Sequence, residues 1–166
     1  MELINDSLNW CKGEVFEGKM SLLFGSCILL ISLAYFKWGS TPGARAMFVP
    51  LLIVAILTIS IGIYLINTNQ KRIPQYEIQF KENQQKFMKQ EKKRTEDFIK
   101  WYPITQKIVF GVMILGMLCL VLSHAPAVRA IGIALMLFSF YVFVLDHFSE
   151  ERAHSYYLKI VEHLSN

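Results

Sequence analysis

The sequence predicts an all-α integral membrane protein: four transmembrane helices forming two hairpins. Three observations predict it. Hydrophobic residues make up 54% of the 166 positions, and the mean hydropathy is +0.37, too apolar for an ordinary soluble domain. The apolar residues are clustered: 20–36, 46–67, 108–123 and 130–145 contain no Asp, Glu, Lys, Arg or His. A spanning helix needs roughly 20 apolar residues. The second run meets this alone, and the others reach it by adding flanking residues whose polar ends extend to the headgroups. Finally, the short connections 37–45 and 124–129 hold only Lys37, Arg45 and Arg129, whereas the middle connection is rich in Lys and Arg. Excess Lys and Arg stay in the cytoplasm, so both termini and the middle connection are expected there.

Residues 1–19 carry Glu2, Asp6, Glu14 and Glu17 ahead of the first apolar run, unlike a basic secretory leader. Insertion is therefore expected to use the spanning helices. Ile4, Leu8, Cys11 and Val15 recur at helical spacing, with Asn5 or Asp6 as cap, and predict an N-terminal amphipathic helix at the cytoplasmic face. Residues 20–67 form the first transmembrane hairpin. Residues 68–103 cannot be one straight rod, which would carry the chain about 50 Å from the membrane. A cytoplasmic helical hairpin returns it, with its turn at Glu82-Asn83 and Asn83 as N-cap of the returning helix. Its aromatic seam (Tyr76, Phe80, Phe87, Phe98, Trp101) is unlike a disordered linker. Residues 104–146 form the second transmembrane hairpin. Residues 147–166 form a C-terminal amphipathic helix on Tyr157, Ile160, Val161 and Leu164.

The two halves look alike. Phe24-Gly25 matches Phe110-Gly111, "TPGARA" at 41–46 matches "APAVRA" at 125–130, and Arg72 with Tyr76 matches Arg152 with Tyr156. This is the pattern of a parallel repeat, one hairpin used twice. Pro42 and Pro126 suit the first turn of a helix, where a missing N–H loses no bond. Arg45 and Arg129 lie one turn in and reach back toward lipid headgroups or another anion at the outer face.

Chemistry is sparse. Cys11, Cys27 and Cys119 make no CxxC pair, so no disulfide framework or zinc site is expected. No P-loop, GxGxxG, HExxH or GxSxG occurs. The lack of ionisable groups within the spans disfavours proton-coupled transport. Span hydroxyls at Ser26, Ser32, Thr58, Ser60 and Ser139 would line a pore only in an oligomer. Beyond the fourth span, His147, Glu151 and His154 share one helix face, and Glu-x-x-His is a spacing used by di-iron bundles. No second such pair exists, so the ligand set is incomplete, and no cofactor is expected. The basic stretch 86–100 is read as a solvated face, because Glu91, Glu96 and Asp97 interrupt it. That makes anionic lipid headgroups a better partner than nucleic acid.

The expected function is interaction rather than catalysis. The chain reads as a scaffold, regulator, immunity-type or defence-associated accessory protein of a bacterial inner membrane. A cytoplasmic surface over Phe80, Phe87, Lys92, Lys93, Arg94, Tyr157 and Val161 would dock a protein partner or a second copy, giving a homo-oligomer. An oligomeric channel or small-solute transporter is the alternative. A membrane-embedded metalloenzyme using His147, Glu151 and His154 is the second alternative.

Overall fold

The computed structural model describes residues 2–165, with side chains from Ile4 to Leu164. The described residues form four helices: α1 (Glu2–Trp38), α2 (Pro42–Glu82), α3 (Gln84–Leu122) and α4 (Pro126–Ser165). Each is long and apolar enough to cross a membrane. They contain 37, 41, 39 and 40 residues. At 1.5 Å per residue each is about 55–60 Å long, nearly twice the ~30 Å hydrocarbon core. The segments before, between and after the apolar runs therefore continue the same helices. We call the end with both termini and the 82–84 turn the basic end, and the opposite end, with the two short turns, the tip end.

Local chemistry sets the helix boundaries. At the first tip, Thr41 is the N-cap of α2, its hydroxyl accepting from the Ala44 backbone N–H at 3.2 Å, and Pro42 opens the helix. At the second tip, Pro126 opens α4, and the Ser123 hydroxyl accepts from the Ala125 N–H at 3.2 Å. At the basic end α2 closes at Glu82, and the Asn83 side chain accepts from the Lys86 N–H at 2.9 Å, capping α3. Pro50 and Pro74 lie inside α2 and Pro103 inside α3, and none ends its helix. α1 already includes Asn5 and Asp6, so neither is its cap. Asp6 instead accepts from Lys159 Nζ on α4.

α1 packs along α2 and α3 along α4, and α4 joins the hairpins by lying against α2 and α1. Glycines permit the closest approaches. A Cβ on Gly62 would stand 2.7 Å from the Gly18 carbonyl oxygen, and one on Gly18 would stand 2.9 Å from the Gly62 oxygen. One on Gly25 would meet Thr58 Oγ1 at 2.6 Å. In the second hairpin Gly116 and Gly132 stand in the same reciprocal relation, at 2.9 and 2.7 Å from each other's carbonyl oxygen. Small residues thus bring backbones together within each hairpin. Gly111 has no atom within 4 Å of its would-be Cβ. It is not an interface glycine as Gly25 is, so that match between the halves is not a structural one.

Two apolar cores result. One lies within the apolar runs, around Ile28, Leu51, Val54, Ala55 and Ala134. The other lies at the basic end, around Trp10, Cys11, Tyr76, Phe87, Met88, Tyr156 and Ile160, with Ile4, Leu8 and Leu164 packed against it. All four helices contribute to the second core, so the terminal apolar stripes find their partner surface within the chain.

Candidate functional site

The densest chemistry lies in the basic-end core. Glu91 of α3 is 4% exposed and forms a bidentate pair with Arg94, three residues on. The Arg94 guanidinium stands 4.1 Å from the ring centroid of Trp10 on α1. Trp10 stacks on Tyr156 of α4, with centroids 5.6 Å apart and planes 8° from parallel. Tyr156 donates its hydroxyl to Glu91 at 3.0 Å and shares a 2.6 Å hydrogen bond with Ser7 of α1. Tyr76 of α2 packs edge-on against Phe87, which is 2% exposed. Burial and the neighbouring Glu91 charge push the Tyr76 and Tyr156 hydroxyls well above the ordinary tyrosine range. Burial also pushes the Cys11 thiol up to about 11. Tyr156 acts here as a hydrogen-bond donor to Glu91, and Tyr76 and Cys11 are packed in the core.

A second polar cluster follows, one step nearer the apolar runs. Arg152 of α4 pairs with Glu14 at 2.8 Å and Glu17 at 2.7 Å, both on α1 and each 7% exposed. Ser149 donates to Glu14 at 3.3 Å and shares a 3.0 Å hydrogen bond with Tyr102 of α3. Deeper still, the Tyr141 hydroxyl donates to Ser21 at 2.6 Å, and Ser21 donates to the Glu17 carbonyl at 2.9 Å. The cluster cross-links α1, α3 and α4.

One expectation changes here. Glu91 was expected on a solvated face and is internal, because Arg94 neutralises it and Trp10 covers the pair. Arg152 reaches across to α1, while Glu150 accepts from Gln106 of α3 at 2.7 Å. Neither cross-helix pairing is visible in local spacing. The local signals at this core were the apolar stripes that include Cys11, Tyr76, Phe87 and Ile160.

The expected docking residues are dispersed. Phe87 is buried, Arg94 lies against Trp10, and Phe80 is half-buried with its ring 5.7 Å from that of Phe87. Tyr157 and Val161 are half-buried, and the Tyr157 hydroxyl donates to Glu96 at 2.9 Å. Lys92 pairs with Glu96 at 3.9 Å. Lys93 is exposed and joins Lys86, Lys89, Gln85 and Gln90 in one shallow strip on α3. Further ion pairs at this end join Lys100 to Asp97 at 3.5 Å and Lys159 to Asp6.

His147, Glu151 and His154 are all exposed. His154 Nδ1 lies 3.1 Å from the Glu150 carbonyl of its own helix. Among the described residues no three His, Cys, Asp or Glu side chains converge to hold a metal. At the tips Arg45 and Arg129 are exposed. Arg45 Nε donates to the Gly39 carbonyl at 3.1 Å. Arg129 lines a recess between the two tips with Tyr35, Thr41 and His124.

Three of the span hydroxyls bond to helix backbone, Ser139 is buried, and Ser26 is exposed. Thr58 donates to Val54 and Ala55 carbonyls, Ser60 to Ile56, and Ser32 across to Phe48 of α2 at 2.7 Å. Ser139 is 2% exposed. Comparison with known protein families, with curated proteins and with solved structures finds no match to this chain.

Proposed function

We propose that the chain is a membrane-anchored helical stalk that acts by docking a protein partner rather than by catalysis. The four apolar runs anchor it in a bacterial inner membrane. The basic end projects into the cytoplasm with both termini, following the excess of Lys and Arg there. The observation that carries this reading is the basic-end core: Glu91, Arg94, Trp10 and Tyr156 brace α1, α3 and α4 on one another. The bonds from Glu91 to Arg94 and Tyr156, with Trp10 packed on both Arg94 and Tyr156, hold the elements they join in one arrangement, and a rigid projecting bundle suits presentation of a surface. The surface best placed is the strip of Lys86, Lys89 and Lys93, which fits an acidic protein face. A pore reading is disfavoured by Ser32, Thr58 and Ser60, whose hydroxyls bond to helix backbone.

The test is complementation of a strain lacking the gene. The triple variant Lys86→Glu/Lys89→Glu/Lys93→Glu is expected to insert and fold normally but fail to restore function. The triple variant His147→Ala/Glu151→Ala/His154→Ala is expected to restore it fully. The reverse pattern contradicts docking and favours chemistry at the exit of α4.

A further inference from the structure

We propose that the groove between α2 and α4 at the tip end binds one phospholipid, its phosphate on Arg45 and one acyl chain along the groove. The inference rests on the membrane-spanning reading above. The groove encloses about 480 Å³. Arg45 stands at one end, and Leu57 and Phe138 mark the other. Its floor includes Val54 and Ala134, 4% and 5% exposed, and its rim includes Val49 and Ile53, 55% and 53% exposed.

Length and charge fit this occupant. From Arg45 to Leu57 the helix rises roughly 18 Å, and half of a ~30 Å hydrocarbon core is about 15 Å. A lipid whose headgroup meets Arg45 would therefore bring its chain end near the bilayer midplane. Arg45 has one N–H fixed on the Gly39 carbonyl at 3.1 Å, which orients the guanidinium, and no protein acceptor is found for the others among the described residues. A phosphate takes such a fork in bidentate fashion. A second copy of this chain fits less well. No Asp or Glu occurs in 18–76 or 98–145, so a parallel copy brings no counter-charge to Arg45.

Native mass spectrometry of the full chain in mild detergent with added phosphatidylglycerol tests the site. Wild type is expected to retain one phosphatidylglycerol per chain and not to retain diacylglycerol of the same chain length. Arg45→Gln is expected to weaken retention about tenfold, and Arg129→Gln to leave it unchanged. Ala127→Trp, which fills the groove from an exposed position, is expected to release the lipid without changing the thermal melt. Equal retention by wild type, Arg45→Gln and Ala127→Trp overturns the site. So does equal retention of diacylglycerol, or a lipid-free dimer. Carbonate extraction of the membranes separates the two levels of failure, since a chain released by carbonate overturns the four-span reading itself.

Discussion

At the residue scale, Glu91 is a carboxylate removed from water and held by three kinds of contact. Arg94 supplies charge, Tyr156 supplies a hydroxyl donor, and the Trp10 ring covers the guanidinium. Removing one partner of such a group is costly, because the others cannot be resolvated. Tyr156→Phe is therefore expected to destabilise the chain by about 1–3 kcal/mol, read as a lowered melting temperature by circular dichroism in micelles. Tyr157→Phe, which removes only a peripheral bond to Glu96, is expected to leave the melt in place. Equal effects of the two would mean that the core network carries no more than the surface one. The sequence pointed to a solvated strip at Glu91 because Glu91, Glu96 and Asp97 interleave with Lys there. Its burial depends on Trp10, eighty positions away on another helix, and no local periodicity encodes that. The tip arginines were more legible, since Pro, Arg and the flanking apolar runs are all local.

At the scale of elements, contact within each hairpin is set by where Cβ atoms are missing. Gly62→Ala would place a methyl 2.7 Å from the Gly18 carbonyl oxygen, a backbone atom that cannot swing aside. Overpacking of this kind costs about 1–3 kcal/mol. Gly111→Ala meets no atom within 4 Å and removes a helix-interior glycine, for an expected gain of about 0.5–1 kcal/mol. A melt of both variants checks the contrast, and similar shifts for the two would contradict the assigned packing. The pairs Ser21/Gly25 and Thr58/Gly62 stand out in the sequence by their spacing of four. The partnering of Gly18 with Gly62, and of Gly116 with Gly132, appears only once the helices are set side by side. Helix ends were legible where their chemistry is local: Asn83 caps α3, and Pro42 and Pro126 open α2 and α4. Asp6 was misread as a cap because its partner, Lys159, comes from the far end of the chain.

At the scale of the whole molecule, four helices of nearly equal length carry membrane-length apolar runs and basic-end segments without interruption. The apolar runs fix the number of helices able to cross a membrane, and this was plain in the sequence. The proposed orientation comes from charge alone: ten Lys and Arg in the middle connection against three in the two tip connections. The measurement that tests the central claim most directly is labelling of single cysteines with a membrane-impermeant maleimide. Cys11, Cys27 and Cys119 are first replaced, and a cysteine is introduced at Ser40, His124 or Gln85, all exposed. Cysteines at Ser40 and His124 are expected to label in intact spheroplasts, and the one at Gln85 only after lysis. Labelling of Gln85→Cys from outside, or tips found on opposite sides, would contradict a stalk anchored by four spans with its braced end in the cytoplasm.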